Sequence, residues 1–78
     1  FQEMLHIKGG KIFLYFKENL KDKRVSVSFR SIDGINIANA AAFFGGGGHK
    51  VAAGVSIDGS LEDVMKKVID KVNEDYLN

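Results

Sequence analysis

The 78-residue chain has no cysteine, only two histidines, and no apolar run near the roughly 20 residues that a membrane helix needs. Without cysteine no disulfide can staple the fold, so stability must come from packed apolar surface, which 45% hydrophobic residues and six Phe supply. The same absence fits a reducing compartment. No charged start followed by a short apolar stretch reads as a signal peptide, so a cytoplasmic domain with no membrane contact is expected. His6 and His49 have no acidic neighbours at ligand spacing, which argues against a metal site in these residues. No serine has a convincing base partner for nucleophilic catalysis. The net charge of +1 is too balanced for a long nucleic-acid track. It is unevenly spread: residues 1–44 hold seven Lys/Arg against four Asp/Glu, and residues 60–78 hold three against five. A compact anionic ligand stays open.

The length allows one domain, spanning 1–78, and since the chain opens at Phe1 rather than Met it reads as a piece of a longer protein. Lys11 to Lys17 (KIFLYFK) places Ile12, Leu14 and Phe16 on one face and Phe13 and Tyr15 on the other, the pattern of a strand covered on both sides. After a polar turn, Arg24 to Arg30 (RVSVSFR) alternates strictly, with Val25, Val27 and Phe29 inward and Ser26, Ser28 and Arg30 outward. Residues 11–30 thus read as an antiparallel hairpin, and Leu5-His6-Ile7 as a further short strand. Asn36 is placed to cap a helix carrying Ile37, Ala40, Ala41 and Phe44, which Gly45 can end in the left-handed conformation. A strand follows over about 53–58. Ser60 then caps a helix whose apolar stripe runs through Leu61, Val64, Met65, Val68, Ile69, Val72 and Tyr76. The expected architecture is α+β: a small mixed β-sheet with two main helices and a glycine-rich loop between the first helix and a later strand.

The segment that local structure does not explain is Phe43 to Gly54, FFGGGGHKVAAG. Each ordered glycine costs roughly 0.5–1 kcal/mol relative to alanine, and one would suffice to end a helix. Four in a row leave bare backbone whose N–H groups can line an anion-binding concavity, with His49 and Lys50 at its rim. Arg30, at the end of a strand and followed by Ser31, offers a guanidinium fork suited to phosphate oxygens. Plainer readings stand beside these. The glycines can be a tight connection, Arg30 an intramolecular ion pair, and Lys50 a solvated cation. Ser26 and Ser28 can form a solvated strand face or the floor of a groove, and His6 reads as structural or exposed. A P-loop is excluded because His49 separates Gly48 from Lys50 and Val51 replaces the hydroxyl. A dinucleotide fingerprint is excluded because the run follows a helix.

Arg30-Ser31, Asn36-Ile37-Ala38, Phe44-Gly45-Gly46-Gly47-Gly48-His49 and Ala52-Ala53-Gly54 closely resemble the C-terminal substrate-binding domain of the DHH phosphoesterases. The likeness covers about residues 11–58 and is greatest to the nanoRNase and pAp-phosphatase branch with its cyclic-dinucleotide phosphodiesterase relatives; RecJ-type exonucleases share the glycine-histidine core. The resemblance implies an N-terminal DHH catalytic domain holding paired Mn²⁺ on Asp and His ligands, over which this domain closes to hold a short oligonucleotide or nucleotide. It implies that Arg30 binds phosphate, Ser31 supports it, Gly46, Gly47 and Gly48 let the backbone approach, and His49 contacts phosphate near the scissile group. Lys50 is a further candidate contact that lies outside the core signature, and Ala52, Ala53 and Gly54 are implied to be packing residues. No DHH triplet occurs in the chain, so two-metal hydrolysis would need the N-terminal domain. A stand-alone nucleotide-sensing or protein-interaction module is the alternative, a tRNA-editing-associated domain a weaker one, and a homodimer stays open.

Overall fold

The computed structural model describes residues 2–7 and 9–76. Its elements run β1 (Gln2–Ile7), β2 (Ile12–Asn19), β3 (Arg24–Ser31), α1 (Ala38–Phe43), β4 (Gly47–His49), β5 (Ala52–Asp58) and α2 (Leu61–Tyr76). The five strands form one sheet in the order β1-β2-β3-β5-β4. Every pairing is antiparallel, so the α+β architecture holds with a uniformly antiparallel sheet in place of a mixed one.

The alternation seen in the sequence becomes a division between two faces. Ile12, Leu14, Phe16, Val25, Val27, Phe29 and Ala53 point to one side, where Ile37, Ala40 and Ala41 of the α1 region and Val64, Val68 and Val72 of α2 pack against them. All of these are buried. The partners across the strands on the other side, Phe13 with Arg30 and Tyr15 with Ser28, are half-buried or exposed. Strand β2 is therefore covered on one side only, against the expectation of cover on both: both helices spend their apolar stripes on the same face, and none is left for the other.

Local chemistry sets the element ends. Asn19 closes the β2–β3 turn by accepting from the N–H groups of Lys21 (3.1 Å) and Asp22 (3.3 Å) and donating to the Asp22 carboxylate (3.0 Å). The Asn36 side chain accepts from Ala38 N–H (3.1 Å), and the short α1 ends in a Schellman motif: Gly46 N–H bonds the Ala41 carbonyl (2.9 Å), Gly45 N–H bonds that of Ala42 (3.0 Å), and Gly45 has φ of +92°. Ser60 accepts from Asp63 N–H (3.2 Å) at the start of α2, where Glu62 and Asp63 complement the helix dipole. At the other end, Tyr76 donates its hydroxyl to the Asn36 carbonyl (2.6 Å), tying the last turn of α2 to the entry of α1. Among the described residues no helix is long and apolar enough to cross a membrane.

Candidate functional site

The glycine run is not an open loop. Gly47–His49 forms β4, an edge strand paired with β5 through Gly47 with Gly54, Gly48 with Ala53 and His49 with Ala52. Pairing satisfies backbone groups that an open concavity would leave to solvent, which is why a hairpin replaces the expected anion nest. Two glycines are required by this contact. A Cβ on Gly46 would lie 2.3 Å from the Gly54 carbonyl oxygen and 2.5 Å from Val55 Cβ. One on Gly48, whose φ is +153°, would lie 2.4 Å from Ala53 Cα. Gly47 differs: nothing stands within 4 Å of where its Cβ would be. The approach that Gly46 and Gly48 permit is therefore that of β5 itself, and within β4 it is Gly47 that leaves bare backbone facing outward.

The turn Lys50-Val51 joins β4 to β5, and two backbone bonds pin it. Ile37 N–H donates to the Lys50 carbonyl (2.8 Å), and Ser31 N–H donates to the Val51 carbonyl (3.0 Å). The second bond holds the hairpin tip against the end of β3, next to Arg30. Register then puts Arg30 and His49 on either side of Ala52, all three in one row across the sheet. Directly opposed residues share a face, so Arg30 and His49 stand on the same, helix-free side, with Cα atoms about two strand spacings or ~10 Å apart. The row continues through Phe13 to His6 on β1. The adjacent row runs Met4, Tyr15, Ser28, Gly54, Gly47. Between Arg30 and His49 the floor is thus built of Ala52, Gly54 and Gly47, residues with one carbon of side chain or none.

Arg30 is exposed, and its Nη1 donates to the Phe29 carbonyl (3.2 Å). The ion pairs of the described residues, Lys11–Asp33 (3.3 Å), Arg24–Asp58 (2.9 Å) and Lys71–Asp75 (3.3 Å), leave it without a carboxylate partner. His49 and Lys50 are exposed as well, Lys50 at the hairpin tip. Ser31 is not part of this surface. It pairs with Ile12 on the core side, is 7% exposed, and donates its hydroxyl to the Ile35 carbonyl. One residue along a strand reverses the face, so Arg30 and Ser31 cannot grip one ligand side by side. Ser31 instead holds the hairpin tip through its N–H and the chain entering α1 through its hydroxyl.

His6 lies at the β1 end of the row with its ring edge-to-face against Phe13, centroids 4.8 Å apart. Among the described residues no three His, Asp or Glu side chains converge to hold a metal. Hollows open at the opposite end of the sheet, beside Glu18, Leu20, Lys23, Gly59 and Ser60, where no cations converge. The candidate site is accordingly a shallow face rather than a cavity.

The chain matches the DHHA1 domain over residues 1–76. It belongs to the DHHA1 domain family. This DHHA1 domain is 31% identical over 71 residues to the bifunctional oligoribonuclease and PAP phosphatase NrnA of Thermus thermophilus, covering 90% of this chain and 21% of that protein. It is 42% identical over 74 residues to an uncharacterized Mycoplasma pneumoniae protein, covering 92% of this chain and 21% of that one. The chain thus spans about a fifth of the length of the curated relatives it matches. As a DHHA1 domain it goes with the DHH-family phosphoesterases, and the motifs at Arg30 and Gly45–His49 fall inside the matched residues.

Sequence reasoning missed two features. The first is the β4–β5 hairpin. The alternation Gly47, His49 against Ala52, Gly54 was its signal, hidden by the low strand propensity of glycine. The second is the one-sided cover of β2, which depends on where the helices go and has no signal within β2 itself.

Proposed function

We propose that this chain is the substrate-gripping domain of a manganese-dependent phosphodiesterase acting on short oligonucleotides, pAp or dinucleotides. The observation that carries the reading is the shared row. An unpaired guanidinium and an exposed imidazole flank Ala52 on one open face, over a floor with almost no side chains. A phosphate resting there would take charge-assisted bonds from the Arg30 fork and a hydrogen bond from the His49 ring. Gly47, Ala52 and Gly54 would let its oxygens and the adjoining sugar approach the sheet, and Lys50 would add a point charge from the tip. The similarity to a protein named for oligoribonuclease and PAP phosphatase activity supports this ligand class. Hydrolysis would fall to a DHH domain ahead of this chain, whose Asp and His residues would hold the metals; none of the described residues here forms such a set.

The test is an amide-shift titration of the folded chain with a 5′-phosphorylated dinucleotide. Shifts concentrated at Arg30 and residues 45–50 are the expected result. A folded chain with no response at those positions at millimolar ligand overturns the reading.

A further inference from the structure

The open face carries something that a phosphate grip does not use. Phe13 and Tyr15 sit two residues apart on β2, on the side that neither helix covers. Phe13 is the direct cross-strand partner of Arg30, and Tyr15 that of Ser28. Both rings are held in place: Phe13 edge-to-face with His6, Tyr15 by donating its hydroxyl to Gln2 Oε1. Both rings are half-buried with no helix above them, and the apolar surface they still leave in water is unfavourable. Here the surroundings are cationic. Lys17 and Arg30 share the face with the His49 ring, and Asp58, across from Arg24, is already paired with it. Fixed aromatic rings beside unpaired cations on an uncovered sheet are the arrangement that accepts unstacked nucleobases while the cations take the backbone.

We propose that Phe13, with Tyr15 next to it, is a base-stacking platform for the nucleoside attached to the phosphate that Arg30 holds. The inference rests on the proposed phosphate grip and extends it along the row, from the hairpin tip toward β1. The ligand would lie across the strands, its phosphate over Ala52 and its base over Phe13. Stacking tolerates any base, because each has a π-face, so this platform would favour single-stranded ends without selecting their sequence.

The intact protein is tested without divalent metal, by calorimetric titration with three probes: 5′-phosphorylated diadenylate, the same backbone lacking both bases, and inorganic phosphate. Phe13→Leu is expected to weaken diadenylate about tenfold and leave the abasic backbone unchanged, with Phe13→Tyr restoring binding. Tyr15→Leu, a milder change at the second ring, is expected to act in the same direction with a smaller effect. Arg30→Ala should weaken all three probes. If both leucine variants, with native far-UV circular dichroism, bind diadenylate as the parent does, the platform is overturned and the phosphate grip stands. If Phe13→Leu weakens the base-bearing and abasic probes equally, or lowers the melting temperature without changing diadenylate binding, the ring is structural or covered by another part of the protein, and the platform is again overturned. If Arg30→Ala changes no probe while Phe13→Leu selectively weakens diadenylate, the phosphate grip fails and the platform is supported.

Discussion

The two faces of strand β2 are made from adjacent residues of similar chemistry and end in different surroundings. Ile12, Leu14 and Phe16 are wholly buried on the face that α2 covers, whereas Phe13 and Tyr15, between them in sequence, have no helix above them. On β3 the contrast is starker, with Val25, Val27 and Phe29 buried against Ser26, Ser28 and Arg30 facing out. The buried face is self-sufficient: its apolar groups are matched by helices, and the one polar side chain buried there among the described residues, Ser31, has its partner in the Ile35 carbonyl. The open face leaves Arg30 without a carboxylate partner among the described residues and Phe13 and Tyr15 without a helix above them. That difference separates residues that hold the fold from residues available to a ligand.

Substitutions should split along the same line, and the largest effect is expected in the core. Phe16→Ala should cost about 3–5 kcal/mol of stability in chemical denaturation, while Ser26→Ala on the opposite face should change it by less than about 0.5 kcal/mol. Similar losses for both would erase the distinction between the faces.

Next in size is Arg30→Ala. In the intact protein it should lower turnover of a 5′-phosphorylated dinucleotide by roughly one to two orders of magnitude, the worth of charge-assisted hydrogen bonds, with unfolding unchanged within about 0.5 kcal/mol. His49→Ala should behave alike. Equal losses of turnover and stability would return both residues to a structural role.

The glycines sharpen the comparison within a single strand. Gly46→Ala or Gly48→Ala forces a methyl into the β5 backbone and should destabilise by about 1–3 kcal/mol or more. Gly47→Ala meets open space and should stay within about 1 kcal/mol of the parent, yet weaken ligand binding by obstructing the floor. A Gly47→Ala protein with unaltered affinity would remove Gly47 from the site.

The smallest effect concerns Tyr76. Burial, the larger influence, together with the nearby Asp75 carboxylate, raises the phenol above its ordinary value of 10.0, against a lowering hydrogen bond to backbone. The unfolded chain therefore loses its phenolic proton first as pH rises. The stabilisation is complete below pH 10 and declines as pH climbs through the folded-state value. Tyr76→Phe should cost about 1 kcal/mol at neutral pH through the lost bond to Asn36 and flatten the alkaline decline in melting temperature. An unchanged alkaline slope would mean that other groups govern it.

Much of this is legible in the sequence. The hairpin at 11–30, the cap at Ser60, the left-handed Gly45 and the stripe of α2 follow from local periodicity and end chemistry, and all are present, whereas the cap position of α1 falls to Ile37, one residue after Asn36, whose side chain accepts from Ala38 N–H. The motif residues are readable in the sequence too, but whether Arg30 and His49 share a surface depends on the glycine run packing beside the end of β3, which the sequence leaves open. Ser31 sits beside Arg30 in sequence and opposite it in space, while Ala52 and Gly54 have no chemistry of their own and become the floor only through register.

Side-chain alternation and backbone capacity are properties of neighbouring residues, so the sequence by itself determined which strands and helices form and which of their faces are apolar. Which sheet face the two helices would choose, and whether the glycine run would lie open or pair, depend on contacts between segments far apart in the chain. Only the tertiary structure decided that both helices cover one side and that β5 draws β4 beside the end of β3. Arg30, His49 and two aromatic rings consequently share a surface that no local rule could assemble.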